Sequence, residues 1–188
     1  MHFAIRDFRK DDFETLWRID QQCFAPGISY SRLELAAYIR LSGSFTLVAE
    51  GEAAGECQGA ESEIVGRGKG NNSGSVATDG AAPNHQAILG FVVSNANRFG
   101  AGHVITIDVI PARQRSGVGS LLLRTAEERL RKSGCRFVRL ETAVNNTSAL
   151  SFYKRHGYFL IRTLSSYYAD GSDALVLRKE LLSPPLHR

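Results

Sequence analysis

The chain is short of cysteine, has no long apolar run and carries no block of like charge, and each shortage removes a class of protein. Cys23, Cys57 and Cys135 are odd in number and far apart. They form neither a disulfide framework nor a C-x-x-C metal pair, and they suit a reducing compartment. No His, Cys and carboxylate cluster has metal-ligand spacing, so no metal is expected. No stretch approaches about 18 apolar residues, and the N-terminus lacks a positive-then-apolar leader pattern. Net charge is +4, without any run of about five like charges that would mark a nucleic-acid tail. The expectation is a soluble cytoplasmic protein, monomer or weak homodimer, with neither a membrane nor a nucleic acid as partner.

What is present suits a single α/β domain. The 188 residues are enough for one sizeable core. The opening His2–Phe8 alternates polar and apolar residues and reads as a strand. Asp11 to Glu14 start a helix with carboxylates in its first turn, ending before Pro26-Gly27. Ser31 and Glu34 match a capping box, opening a second helix to about Arg40. Strands follow at 44–50, 88–93 and 103–110, the last so apolar that it is expected at the centre of a sheet. The remaining pattern predicts a helix at 117–132, a strand at 136–142, a helix at 147–155, and strands at 158–164 and 174–181.

Residues 51–87 are of another kind. They hold eight of the 18 glycines and no aromatic residue, too little apolar surface to offset the entropy of ordering. The segment is expected to be a disordered insertion in one domain spanning 1–182, with 183–188 as a tail. Its Gly66-Arg67-Gly68-Lys69-Gly70 superficially looks like a phosphate loop but lacks the Ser or Thr after Lys.

The strongest chemical signal is Gln114-Arg115-Ser116-Gly117-Val118-Gly119, between a buried strand and an amphipathic helix. Free N–H groups at a helix N-terminus bind phosphate, and glycines let a backbone approach closely. A Gly-rich turn with no ligand is the plainer reading of this motif alone, and the Rossmann fingerprint does not fit, because the third glycine is missing.

Gln114-x-x-Gly117-x-Gly119 resembles the acyl-CoA signature of the GNAT superfamily of N-acetyltransferases. Asn146-x-x-Ala149-x-x-x-Tyr153-x-x-x-Gly157-Tyr158 resembles a second element of the same family, in the right order and about 30 residues further on. Leu140-Glu141 before Asn146 and Tyr153, the ending Tyr167-Tyr168-Ala-Asp170-Gly171-Ser-Asp173-Ala174, and Cys23-Phe24-Ala-Pro26-Gly27 are similar to the ribosomal-protein-alanine and related protein N-terminal acetyltransferases. The resemblance covers the chain except the insertion.

It implies a GNAT fold, a mixed and mostly antiparallel central sheet flanked by helices, with acetyl-CoA as co-substrate and no metal. Ile107, Asp108 and Val109 would offer strand-edge backbone to the pantetheine arm. Gln114 belongs to the signature, Arg115, Ser116, Gly117, Val118, Gly119 and Ser120 would hold the pyrophosphate, and Asn146 would also touch the coenzyme. Glu141 would remove the amine's proton and Tyr153 would protonate the leaving thiolate. Phe24, Ile28, Tyr167 and Tyr168 would flank the acceptor, a protein or peptide N-terminus such as that of a ribosomal protein.

From residue type alone, Glu141 is a solvated strand-end carboxylate, Tyr153 a core aromatic, and Tyr167 and Tyr168 hairpin residues. His103 and His156 read as surface or packing residues, His156 suited to the partial negative charge at a helix C-terminus. A small-molecule amine or a lysine as acceptor, or a non-catalytic acyl-CoA-binding module, remain alternatives.

Overall fold

The computed structural model describes residues 3–52 and 86–181. Their order is β1 (Phe3–Asp7), α1 (Phe13–Cys23), α2 (Arg32–Arg40), β2 (Ser44–Glu52), β3 (Gln86–Ala96), β4 (Ala101–Val109), α3 (Val118–Lys132), β5 (Phe137–Ala143), α4 (Thr147–Arg155), β6 (Phe159–Leu164) and β7 (Ala174–Glu180). The described strands form one seven-stranded sheet in the order β1-β2-β3-β4-β5-β7-β6. Neighbours run antiparallel except β4 and β5, which are parallel. The mixed, mostly antiparallel sheet expected from the sequence is the one the chain forms, with β4 at its centre.

The helices cover the sheet on both faces. Val118, Leu122, Leu123, Ala126 and Leu130 of α3 are almost fully buried against Leu47, Ala49, Val92, Val104, Val138 and Leu140. Each such leucine contributes about 1.5–3 kcal/mol. Gly102 sets how closely α3 lies, because a Cβ there would stand 2.8 Å from the Leu130 Cδ1. On the other face Leu16, Ile19 and Leu35 of α1 and α2 meet Val48, Phe91 and Val93.

Local signals explain the helix ends. The Ser31 side chain accepts from the Glu34 N–H and the Glu34 carboxylate accepts from the Ser31 N–H, a reciprocal cap. The Asn146 side chain accepts from the Ala149 N–H at 3.0 Å and starts α4. Near the N-terminus the structure departs from expectation. Residues 10–12 form a 3-10 turn ahead of α1, and Asp12, though at the α1 N-cap, makes no side-chain cap bond to it. It is buried and bonded by both Arg6 guanidinium nitrogens, at 2.7 and 2.8 Å.

The hairpin around the insertion also runs further than the sequence pattern indicated. Gly51 and Glu52 pair with Ala87 and Gln86 as ladder residues of β2 and β3. Residues 53–85, with Cys57 and the glycine-rich phosphate-loop decoy, lie outside the described residues, as do residues 182–188.

Candidate active site

The parallel pair at the centre of the sheet is short. β4 and β5 pair only through Ala101↔Phe137, Gly102↔Val138 and His103↔Arg139. Beyond His103 the two strands part, while β4 continues to Val109 and β5 to Ala143. On its other edge β4 stays bonded to β3, with a bulge that passes over Ile105, since Val93 faces Thr106 and Ser94 faces Val104. The parting opens a cleft, and the bulge turns the β4 backbone toward it.

One side of this cleft suits a coenzyme. Ile107, Asp108 and Val109 pair with β3 and have no β5 partner, so their second backbone edge faces the cleft. The chain then enters α3 through Arg115 at φ 60° and Gly117 at φ 96°, a left-handed pair that gathers backbone N–H groups. The Leu121 N–H makes the first helical bond, to the Gly117 carbonyl, which leaves the N–H groups of Val118, Gly119 and Ser120 at the open helix end. Gly119 is tucked against Val109 and Phe152, where a Cβ would meet side-chain carbons at 3.5–3.7 Å. Exposed Arg115 adds positive charge. These residues fit a pyrophosphate.

Three motif residues have a local structural task as well. The Gln114 side-chain amide donates to the Val109 carbonyl at 3.2 Å and clasps the loop to β4. The Ser116 hydroxyl donates to the Arg113 carbonyl. The Asn146 side-chain oxygen is the cap of α4 described above.

Glu141 stands just past the last rung that β4 and β5 share. Its Oε2 lies 2.6 Å from the Nε2 of His103, and both side chains are partly buried. Burial pushes the Glu141 carboxyl up, but the His103 hydrogen bond and the nearby charges of His103, Arg139 and Arg162 outweigh it and hold the group below its ordinary value. Glu141 is therefore a carboxylate across the neutral range. His103, read from sequence as a surface or packing residue, is instead the direct partner of the candidate base. Thirty-eight positions separate the two, so no local spacing could have linked them.

Tyr153, on α4, is buried at 7% exposure, with its ring edge-on to Phe152 and Tyr158. Burial, with the charge of Asp108 and the neighbouring Tyr168, raises its phenol strongly, so it keeps its proton. Its hydroxyl has no hydrogen-bond partner among the described residues. Tyr158 differs. Its hydroxyl donates to Glu127 at 3.0 Å, and Lys179 donates to the same carboxylate at 2.6 Å, a closed structural network.

Two loops meet at the residues expected to flank the acceptor. Gly27, between α1 and α2, abuts Asp170, between β6 and β7; a Cβ on the glycine would stand 3.5 Å from the aspartate. Phe24 and Ile28 thus lie on the loop facing the Tyr167–Tyr168 turn, whose rings meet edge to face at 5.1 Å. Tyr168 is within electrostatic reach of both Glu141 and Tyr153. Tyr30 and Tyr38, which the sequence reading missed, stack edge to face at 5.1 Å beside this turn. The Tyr30 hydroxyl donates to the carbonyl of the bulged Ile105. One tyrosine just before the capping box and one on the helix it opens were the available signal.

Behind the cleft, Asp108 of β4 and Asp20 of α1 are both buried, each with one side-chain oxygen unpartnered. Asp108 accepts from the Thr106 hydroxyl at 3.0 Å. Burial, reinforced by Asp20, raises Asp108 well above the carboxylate range, and burial pushes Asp20 up to about 6. The Cys23 thiol, donating to the Val109 carbonyl at 3.3 Å, is pushed up to about 12 by burial and by Asp108, which makes it an inert thiol. His156 keeps its expected helix-end position, with its Nδ1 2.8 Å from the Phe152 carbonyl. Among the described residues no three His, Cys, Asp or Glu side chains could hold a common metal, and no helix is long and apolar enough to cross a membrane.

The acetyltransferase (GNAT) family model matches residues 13–158. The chain belongs to the GNAT acetyltransferase family. It is 35% identical over 81 residues to an N-alpha-acetyltransferase of Sulfurisphaera tokodaii, covering 43% of this chain and 48% of that protein. It is also 35% identical over 98 residues to N-alpha-acetyltransferase 20 of Dictyostelium discoideum, covering 50% of this chain and 56% of that one. The chain thus spans about half the length of these curated relatives. The crystal structure of Ard1 from Thermoplasma volcanium superposes with a TM-score of 0.72 at 22% identity, over 97% of this chain and 100% of that one. That likeness concerns the GNAT fold alone.

Proposed function

We propose that this GNAT chain transfers the acetyl group of acetyl-CoA to the α-amino group at a protein N-terminus, with a ribosomal protein among the candidate acceptors. The observation that carries the reading is the His103–Glu141 pair, set where β4 and β5 part, with the buried phenol of Tyr153 on α4 as the candidate acid. The N-alpha-acetyltransferase names of the two curated relatives support the choice of acceptor.

The chemistry needs an unprotonated amine and a leaving thiolate. A free α-amino group has a pKa of about 7.7–8.0 against about 10.4 for lysine, so near neutrality its nucleophilic form is far more abundant. Glu141 accepts the proton that the amine loses, directly or through a water, while His103 fixes the carboxylate's direction and shares the added proton. As the new C–N bond forms and the C–S bond breaks, Tyr153 donates its proton to the departing sulfur. Positioned acid and base groups of this kind contribute about 10²–10⁴-fold. The amine attacks directly, so no protein nucleophile is required, and the inert Cys23 agrees with that.

The test is release of free coenzyme A thiol from acetyl-CoA in the presence of peptides. Peptides with free N-termini are compared with N-blocked peptides carrying an internal lysine, for wild type, Glu141→Gln and Tyr153→Phe. Turnover confined to free N-termini and reduced by both substitutions supports the reading. Turnover on blocked peptides alone moves the acceptor to lysine, and acetyl-CoA binding without turnover on any peptide removes the peptide acceptor.

A further inference from the structure

We propose that Arg139 and Arg162 form a carboxylate-binding site beside Glu141 that selects acceptor peptides with an acidic side chain in the second to fourth position. The inference rests on the reading of the acceptor as a peptide N-terminus and gives that substrate a chemical class.

Strand register places the two arginines. Val138 and Leu140 of β5 are buried toward α3, so Arg139 and Glu141 between and after them project from the opposite, open face. Glu141 pairs with Val176 of β7, and Val176 pairs in turn with Arg162 of β6. Cross-strand partners share a face, so Arg162 stands in the same row as Glu141, two strands away. Both arginines are exposed, and their charges reach the Glu141 carboxylate, Arg139 also reaching the Tyr167 phenol of the acceptor loop.

What sets them apart from the other arginines is their place in the Glu141 row, where both reach its carboxylate and neither is held by a partner of its own. Arg178, across from Arg139 on β7, lies over the Phe137 ring at 3.8 Å and pairs with Glu180 at 2.7 Å. Arg6, Arg32, Arg129 and Arg131 each pair with a carboxylate. Arg139 and Arg162 have neither a hydrogen bond nor an ion pair among the described residues. A carboxylate arriving from outside therefore displaces no existing pair, and a guanidinium offers it two parallel N–H donors.

The reach matches an extended peptide. Arg139 lies two residues along β5 from Glu141, about 7 Å, and Arg162 lies two strand spacings away, about 10 Å. With its α-amine at Glu141, an acceptor advancing about 3.4 Å per residue brings its second to fourth side chains over that span. A lysine or arginine there meets two like charges.

The test compares CoA release by the full chain on three peptides that share a free N-terminal serine and differ at the next positions: Glu-Glu, Gln-Gln or Lys-Lys. Wild type is expected to favour Glu-Glu over Gln-Gln by roughly three- to tenfold in kcat/KM, through KM, as two exposed ion pairs allow, with the ratio shrinking at high salt. Arg139→Gln with Arg162→Gln brings that ratio to about one, and Arg139→Glu with Arg162→Glu reverses the preference toward Lys-Lys. Every peptide uses the same Glu141, so the ratio cancels any change in the carboxylate's own basicity. A wild-type ratio of one, or a ratio that survives both double substitutions, overturns the proposal. If no peptide is acetylated, the N-terminal reading fails; the same peptides, fluorescently labelled at the C-terminus, then report binding to the CoA-loaded protein by anisotropy. The same preference and its loss in the double variants support the arginine site there, and equal binding of all three overturns it.

Discussion

His103 Nε2 lies 2.6 Å from Glu141 Oε2, at the rung where β4 and β5 cease to pair. The contact joins a partly buried carboxylate to β4, the strand whose far end, Ile107 to Val109, runs on without a β5 partner. It also balances two opposed influences on Glu141, burial raising the carboxyl and the His103 bond leading those that lower it.

Removing the bond leaves burial less opposed. In His103→Ala, Glu141 holds its proton to higher pH, so the basic form is lost over more of the acid range. The acid limb of the kcat/KM profile is expected to move upward, with a loss on the order of 100-fold near neutrality, the lower end of the acid–base range. A pH–rate series on one peptide measures both. An unmoved acid limb would detach His103 from the base.

Gly117 opens α3 at φ 96° with room beside it, the nearest atom to an added Cβ being the Phe3 Cζ at 3.8 Å. The cost of Gly117→Ala is then backbone strain, about 1 kcal/mol, with no steric clash. That strain should deform the cradle, raising the KM for acetyl-CoA about tenfold while melting falls by only a few degrees. Melting that falls with KM unchanged would make the glycine a turn residue alone.

How much of this was legible varies with the range of the signal. The helix at 147–155 was read to the residue because Asn146 caps it and Gly157 ends it locally. The ends of β2 and β3 were not, because Gly51, Glu52, Gln86 and Ala87 have weak strand propensity and are held by the hairpin ladder. The Gly117–Gly119 loop was visible as a candidate phosphate cradle because its glycines and its helix are contiguous. His103 was not, because its partner comes from a strand reached across α3, and Tyr30 and Tyr38 come beside the Tyr167–Tyr168 turn only through tertiary packing.

The buried pair Asp20 and Asp108 predicts a pH-dependent stability. A carboxyl whose folded-state pKa is raised holds its proton more tightly in the native chain than in the unfolded one. Its favourable state is complete below the unfolded value and is lost as pH rises through the folded one. For Asp20 that window runs from 3.8 to about 6, and Asp108 extends it upward. Asp108→Asn keeps an oxygen for the Thr106 hydroxyl and abolishes the charge. Its melting temperature should exceed wild type by several degrees at about pH 8 and by little at about pH 4, since about 2–4 °C follow each kcal/mol in a chain of this size. Equal changes at the two pH values would show that the carboxyls do not titrate in this way.

Two tyrosines five residues apart should respond in opposite ways to the same deletion of an oxygen. The Tyr158 hydroxyl donates to Glu127, which also takes Lys179, and none of these residues faces the cleft where β4 and β5 part. Tyr158→Phe leaves a buried carboxylate short of one donor, a cost of about 1–3 kcal/mol, and kcat should hardly move. The Tyr153 hydroxyl has no described partner to lose. Tyr153→Phe should leave the melting temperature near wild type and lower kcat on the order of 100-fold, as expected when a general acid is removed. Thermal melts and peptide kinetics on both variants check the contrast. Loss of kcat in both, or loss of stability in both, would mean that the rings act as one packed unit, and the acid would have to be sought elsewhere in the cleft.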